Sequence, residues 1–235
     1  MKFQEHVEDY LLTIYKYQLV HGYAKTSQVA RELGVKDATV TKVLKRLQQR
    51  GLVEVSKYRG AKLTDDGIKI ASNVLRKHRI IEIFLYKYLG FDIYKAHELA
   101  HMMEHLPDEV IEAIYKKLGE PDTCIVGLPL EAVKASAALT LDKAVPGKCY
   151  QIICLISEFK SVIEKLKNVG CWVCSTLRVD SKGSKGLTIT MDNGKKLILS
   201  LDESKSIAVK EVSCDDLNNT LIPSPTGCEG KGAEG

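Results

Sequence analysis

Residues 26–64 read TSQVARELGVKDATVTKVLKRLQQRGLVEVSKYRGAKLT, and the organisation of the chain follows from this stretch. Thr26 and Ser27 stand where a helix cap belongs, and Gly34 closes the short helix that they open. Asp37 caps a further helix, in which Val40, Val43, Leu44 and Leu47 recur at helical spacing as one apolar stripe that stops at Gly51. Two helices joined across Gly34-Val35-Lys36 predict a helix-turn-helix. Residues 52–64 then set apolar residues on both sides of a basic turn, Lys57-Tyr58-Arg59-Gly60, which predicts a β-hairpin. Helix, turn, helix and hairpin in that order describe a winged helix.

The charge pattern agrees. From Lys25 to Lys62 there are ten Lys/Arg against three Asp/Glu, a local balance of +7 where the whole chain carries +4. The remainder is therefore net negative, with an acid-rich stretch from Glu98 to Asp122. The basic segment suits a polyanion and the acidic middle suits a cation. An ordinary amphipathic helix with a solvated basic face explains the second helix alone. It does not explain a short preceding helix, a glycine-centred turn and a basic hairpin arranged around it, and the combination points to double-stranded DNA.

Outward from this unit, Val7, Leu11, Ile14 and Tyr15 predict a helix over residues 3–20. A long helix is expected from Thr64 to Leu89, a second from Asp92 to Pro107 and a third from Pro107 to Gly119. Their broad apolar faces predict a homodimer surface. Residues 120–140 hold Pro121, Gly127 and Pro129 and read as a linker. Beyond them CYQIICLI, CWVCSTLRVD, LTITMD, KKLILSL and SIAVKEV are short β-type runs between turn residues, expected to close into a small β-barrel. The expected class is thus mainly α with a C-terminal all-β domain. Its parts are a DNA-binding unit over 1–63, a helical metal-binding and dimerisation unit over 64–120, a linker over 121–140, a β-barrel over 141–213 and a disordered tail over 214–235.

Composition bounds the rest. The 235 residues are 45% hydrophobic and 27% charged, with a mean hydropathy of −0.10, which describes a globular chain. The longest apolar runs are about five residues, far short of the ~20 that span a bilayer. The start, MKFQEHVEDY, has no apolar stretch behind it, which argues against a signal peptide, and the expected location is cytoplasmic. Seven cysteines, an odd number, fit reduced thiols better than a disulfide framework. Cys149 and Cys154 lie five apart on an expected strand and would face opposite sides, and Cys171-x-x-Cys174 stands alone, so these four are expected to be packed or surface thiols rather than a zinc site.

Four of the six histidines lie at 78, 97, 101 and 105. His78 and Glu82 are one helical turn apart, and on the next helix His97, His101, Glu104 and His105 fall within an arc of about 100°. Imidazoles and carboxylates converging in this way suit a divalent transition metal. The run HELAH (97–101) also matches H-E-x-x-H, the zinc-peptidase pattern, but Glu104 and Pro107 stand where one extended form of that motif needs Gly and His. An enzyme is therefore not expected. Zinc peptidase and a DNA-binding regulator with a purely structural histidine cluster are the alternatives.

With EDYLLTIY (8–15), the helix-turn-helix, RKHRIIE (76–82) and AHELAHMMEH (96–105), the chain resembles the diphtheria toxin repressor family of metal-dependent transcriptional repressors, over about residues 5–212. VPGKCYQIICLI and KKLILSLDESKSIAVKEV resemble the FeoA-like form of that family's last domain. The resemblance implies a repressor of metal homeostasis genes with Fe²⁺ or Mn²⁺ as corepressor, Zn²⁺ or Co²⁺ serving in vitro. It implies a primary metal site of Asp9, His101, Glu104 and His105, and an ancillary site of His78, Glu82 and His97, with Glu158 as a further ligand. Cys124 matches a cysteine ligand of some members, although Val126 replaces the histidine of their motif. Iron-responsive members carry Cys where this chain has His101 and Met where it has Asp9; manganese-responsive members carry Glu and Asp there. His101 follows neither pattern. On the reading helix, Lys36, Ala38, Thr39, Thr41 and Lys42 are expected to face the major groove, and Ser27, Thr41, Tyr58 and Arg59 to touch phosphates.

Overall fold

The computed structural model describes residues 2–125, 130 and 139–215. The expected linker falls mostly, and the expected tail almost wholly, outside the described residues. The chain divides into two units, one up to Lys134 and one from Ala135.

The first unit opens with α1 (Lys2–His21), α2 (Thr26–Leu33) and α3 (Asp37–Gln49). Leu11 and Ile14 of α1, Val29 and Ala30 of α2, and Val40, Leu44 and Leu47 of α3 are buried, so the apolar stripe read from sequence is the packed face. The caps differ from expectation. Lys25 and Lys36 hold the cap positions, which puts Thr26 and Asp37 inside the first turns. In α2 the Lys25 N–H is satisfied by the Gln28 side chain, 2.8 Å away, reaching back one turn. Asp37 instead complements the positive end of the helix dipole. Gly34 adopts a left-handed conformation at φ 66° and makes the turn.

The wing follows as β1 (Val53–Ser56) and β2 (Gly60–Leu63), antiparallel from Val53 opposite Leu63 to Ser56 opposite Gly60. It is tied to the helices by backbone. Ala24 and Ala61 exchange N–H···O bonds of 2.8 and 2.9 Å, and the Gln18 side chain accepts the Leu63 N–H at 2.7 Å. Gly60 is required at this seam, because its φ is +107° and a Cβ there would lie 2.2 Å from the Ala24 carbonyl oxygen.

Next come α4 (Asp65–Lys87), α5 (Ile93–Met103) and α6 (Asp108–Lys117). Thr64 caps α4 by accepting the Gly67 N–H, and Asp92 caps α5 by accepting the N–H groups of Tyr94 and Lys95. Ile80, Ile81, Ile83 and Leu85 of α4 bury against Ala96 and Ala100 of α5 and Ile111 of α6. Small residues on α5 let it lie close to α4, which is what brings their polar side chains within reach. α5 ends at Met103, not at Pro107: Glu104 is its C-cap, and a turn from Met103 to Leu106 carries the chain into α6.

The second unit is a six-stranded antiparallel sheet in the order β3-β8-β4-β5-β6-β7, with β3 (Leu139–Thr140), β4 (Cys149–Leu155), β5 (Thr176–Gly183), β6 (Gly186–Met191), β7 (Lys196–Leu199) and β8 (Ile207–Val212). Its ends stay apart, so the expected barrel is an open sheet. It is also not all β. α7 (Lys160–Val169) buries Val162, Ile163, Leu166 and Val169, and a short α8 (Leu201–Ser204) follows β7. The thiol expectation is corrected at Cys149, which forms a disulfide with Cys214, and at Cys174, which is also disulfide-bonded. Cys149 opens β4 opposite Val212 at the end of β8, and Cys214 lies two residues further on. A pairing created by sheet register across 65 residues of sequence leaves no trace in local spacing. Cys124, Cys154 and Cys171 are buried free thiols. No helix among the described residues is long and apolar enough to cross a membrane.

Candidate metal centre

Three helices of the first unit carry the polar side chains that converge. Glu8 and Asp9 come from α1, His78 and Glu82 from α4, His97 and His101 from α5, and Glu104 and His105 from the turn that ends α5. His78, Glu82, His97 and Glu104 are buried among otherwise apolar helices. Groups of this kind are kept inside only when bonded to one another.

They are bonded, in two groups that meet at Glu104. The first is a histidine group. The Glu104 carboxylate accepts His78 Nδ1 at 2.7 Å and His101 Nδ1 at 3.3 Å on the same oxygen, Oε2. His78 Nε2 stands 3.2 Å from His97 Nδ1, which is also 3.1 Å from Glu82. The rings of His78, His97 and His101 lie within 4.9 Å of one another, centre to centre. Burial pushes the His101 imidazole down to about 3, aided by the charges of His78 and Lys16, so it is neutral at pH 7. Burial alone would raise Glu104, but hydrogen bonds from His101 and His78 hold its carboxyl below the usual carboxylate range.

The second group is a carboxylate group. His105 is clamped between α1 carboxylates, with Nδ1 2.8 Å from Glu8 and Nε2 2.9 Å from Asp9. The hydrogen bond to Asp9 lifts its pKa to about 9 against the opposing effect of burial, with Glu8 adding to the rise. His105 is a cation at pH 7. Asp9, Glu104 and His105 offer ligand atoms close enough to share one ion, and so do His78, His97 and His101. Neutral imidazoles and ionised carboxylates are a donor set that a divalent transition metal fits.

The structure therefore gathers three of the four residues of the expected primary site, Asp9, Glu104 and His105, and sets His101 with His78 and His97. Glu82 adjoins His97. Cys124 is packed in the apolar cluster of Ile80, Ile81 and Leu130, and Glu158 is buried in the second unit between β4 and α7. Glu8 was not anticipated. It neighbours Asp9 in sequence, and helical spacing turns adjacent residues about 100° apart, so only the position of His105 between them reveals it. Glu98, the general base that a peptidase would need, faces solvent and pairs with Lys95 at 3.1 Å.

Ser27, Lys36, Ala38, Thr39, Thr41, Lys42, Tyr58 and Arg59 are all exposed, and Tyr58 at the wing tip is 88% exposed. Arg59 stacks over the Tyr23 ring at 5.7 Å.

Comparison with known proteins covers both halves of this unit. Residues 2–61 match the family described as iron dependent repressor, N-terminal DNA binding domain, and residues 64–130 match iron dependent repressor, metal binding and dimerisation domain. The chain belongs to the iron-dependent repressor family. This family of metal-dependent transcriptional repressors includes several relatives. The chain is 39% identical over 110 residues to an uncharacterised HTH-type transcriptional regulator of Methanocaldococcus jannaschii, MJ0568, covering 46% of this chain and 88% of that protein. It is 33% identical over 141 residues to the diphtheria toxin repressor of Corynebacterium diphtheriae, covering 60% of this chain and 62% of the relative. Among solved structures it resembles the manganese regulator SloR, with a TM-score of 0.70 and 26% identity, over 88% of this chain and 98% of that one. The iron-dependent repressor fold, a helical DNA-binding unit and helical metal-binding region followed by an antiparallel sheet, is the fold of this chain.

Proposed function

We propose that this chain is a homodimeric, metal-activated repressor that binds double-stranded operator DNA in the cytoplasm, with Fe²⁺ or Mn²⁺ as its corepressor. One observation carries the reading: His105, at the end of α5, is held by Glu8 and Asp9 of α1, 97 and 96 residues away in sequence. α1 is continuous with the reading unit, so this contact is the place where an ion can couple the two. A divalent ion supplies a single positive point on which these carboxylates and imidazole converge.

Asp9, Glu104 and His105 hold that point, with His101 the fourth ligand that the family resemblance assigns. Without it, His105 must keep its proton to sit between two carboxylates, and α1 is restrained by hydrogen bonds alone. With it, the four positions fix α1 against α5 and set the spacing of the two reading heads, which must be about 34 Å to enter successive major grooves. Tenfold in DNA affinity requires about 1.4 kcal/mol of preference between the two states. His78, Glu82 and His97, with Cys124, are the proposed ancillary ligands.

The exposed face of α3 enters the groove. Lys42 donates to guanine, Ala38 and Thr39 meet thymine methyl groups and Lys36 adds charge at the groove edge, while Ser27, Thr41, Tyr58 and Arg59 position the protein on phosphates. Apolar residues left on the surface of the α4–α6 region, Leu89 at 54% and Met102 at 76% exposure, support a homodimer face there. The peptidase alternative rests on the HELAH run alone, and its Glu98 faces solvent and pairs with Lys95. Selection from a random duplex pool by the full chain, with and without Mn²⁺ at fixed salt, tests the proposal. A palindromic sequence enriched only with metal is expected; equal enrichment without metal, or none, overturns it.

A further inference from the structure

We infer that Glu8 is a positioning residue of the metal centre: it stays outside the coordination shell, keeps the Nδ1 proton of His105 with and without metal, and so turns Nε2 toward the ion. The inference rests on the proposed reading of Asp9, His101, Glu104 and His105 as one metal site and adds a role for a fifth residue.

The hydrogen bonds of one ring carry the argument. A carboxylate accepts and does not donate, so His105 gives a proton from Nδ1 to Glu8 Oε2 at 2.8 Å and from Nε2 to Asp9 Oδ1 at 2.9 Å. The two acceptors are not equivalent. Asp9, Glu104 and His105 bring ligand atoms within 4.8 Å of one another, which puts the ion on the Asp9 side of the ring, at Nε2. The two nitrogens of an imidazole point to opposite sides, so a carboxylate bonded at Nδ1 cannot share an ion held at Nε2. A carboxylate in that outer position fixes the tautomer and the plane of a metal-bound histidine and raises its basicity.

Helix geometry makes this division possible. Adjacent residues of α1 project about 100° apart, so Glu8 and Asp9 straddle a single ring, one at each edge. Exposure follows the same division. The side chains of His105 and Glu8 are 16% and 18% exposed, while that of Asp9 is 37% exposed. The proton that leaves is therefore the one on Nε2, on the more open side, and the one kept on Nδ1 is sheltered. Metal uptake then costs one proton and no rotation of the ring. An amide at position 8 would still accept from Nδ1, without the charge that strengthens the bond. An alanine there would leave the ring free to present either nitrogen.

Long-range proton–nitrogen NMR of the histidine rings, recorded on the full-length chain with and without diamagnetic Zn²⁺, tests this without DNA. In the loaded wild type His105 should keep its proton on Nδ1 and bind metal through Nε2. Glu8→Ala should mix the two tautomers and weaken Zn²⁺ binding about ten- to a hundredfold. Glu8→Gln should restore the single tautomer and most of that affinity, and Asp9→Asn should weaken binding while leaving the tautomer unchanged. Metal on Nδ1 in the wild type overturns the inference. So does a Glu8→Gln chain that binds no better than Glu8→Ala, which would make Glu8 a ligand through its charge, or a Glu8→Ala chain with one tautomer and full affinity. The wild-type spectrum needs no variant, so it decides the matter even where Glu8→Ala does not fold. A His105 ring that takes up no metal at all would instead sink the four-ligand reading on which the inference rests.

Discussion

His101 and His105 lie four residues apart, one in the last turn of α5 and the other in the turn just beyond it, and are held in opposite states. His101 faces other imidazoles across a buried carboxylate and is neutral, pushed down to about 3. His105 faces two carboxylates of α1 and is a cation, lifted to about 9. The residue type is the same and the difference comes from what α1 and α4 present. One imidazole is ready to donate a lone pair at pH 7, and the other must first surrender a proton. Glu104 stands between them and gives each half of the centre a carboxylate neighbour.

The contrast is broken most severely at Glu104. Replacing it with Ala strands the His78 and His101 donors in the interior, and each hydrogen bond to a buried charge is worth about 1.5–3 kcal/mol. Glu104→Ala should lower the unfolding free energy of the metal-free protein by roughly 2–4 kcal/mol in urea. Calorimetry should show weakened binding of both Mn²⁺ and Zn²⁺. Loss of one metal alone would mean that the two halves do not share this residue.

A change of pH separates the halves without mutation. Because the folded pKa of His105 is raised, the clamp of Glu8, His105 and Asp9 is fully present below about 6.5 and is lost as pH rises through about 9. Metal must displace that proton, so affinity at the carboxylate-rich site should rise about tenfold per pH unit between 6.5 and 9. Mn²⁺ binding measured in buffers of different ionisation enthalpy should reveal close to one proton released. Asp9→Ala should return His105 by more than one unit toward its ordinary pKa, read by NMR titration, and shrink that proton release. An unchanged His105 titration would show that α1 is not its partner.

The smallest effect lies at the wing. Arg59→Ala removes one exposed phosphate contact and should weaken binding to all DNA sequences alike, flattening the log–log salt slope by about 1. A loss confined to one sequence would move Arg59 from positioning to base reading. Gly60→Ala offers a control, because the Cβ collides with the Ala24 carbonyl oxygen and should displace the hairpin itself.

Much of this was legible in the sequence, for identifiable reasons. The α3 stripe of Val40, Leu44 and Leu47 repeats at the helical period, and Gly34 and Gly51 mark where the chain must turn. The wing shows as apolar residues around a basic turn. Both are local signals. The missed features are tertiary. α7 was hidden because Val162, Ile163, Leu166 and Val169 lie between β-type runs that dominate the pattern. The Cys149–Cys214 link depends on β4 and β8 being neighbours, and the open sheet depends on which end strands meet. At the metal centre, the helical wheel put His97, His101, Glu104 and His105 on one arc. The wheel says nothing of what faces that arc. α4 supplies His78 to His101 and α1 supplies Glu8 to His105, and so a single row of ligands divides in two.

The coupling of α1 to α5 is tested most directly by the DNA affinity of wild-type and Asp9→Ala chains, each titrated with Mn²⁺ at one salt concentration. The account predicts that metal tightens wild-type binding at least tenfold, about 1.4 kcal/mol, and leaves Asp9→Ala near the metal-free level. Equal affinity of the chelator-treated and loaded wild type, or an Asp9→Ala chain that switches as fully as the wild type, would contradict it.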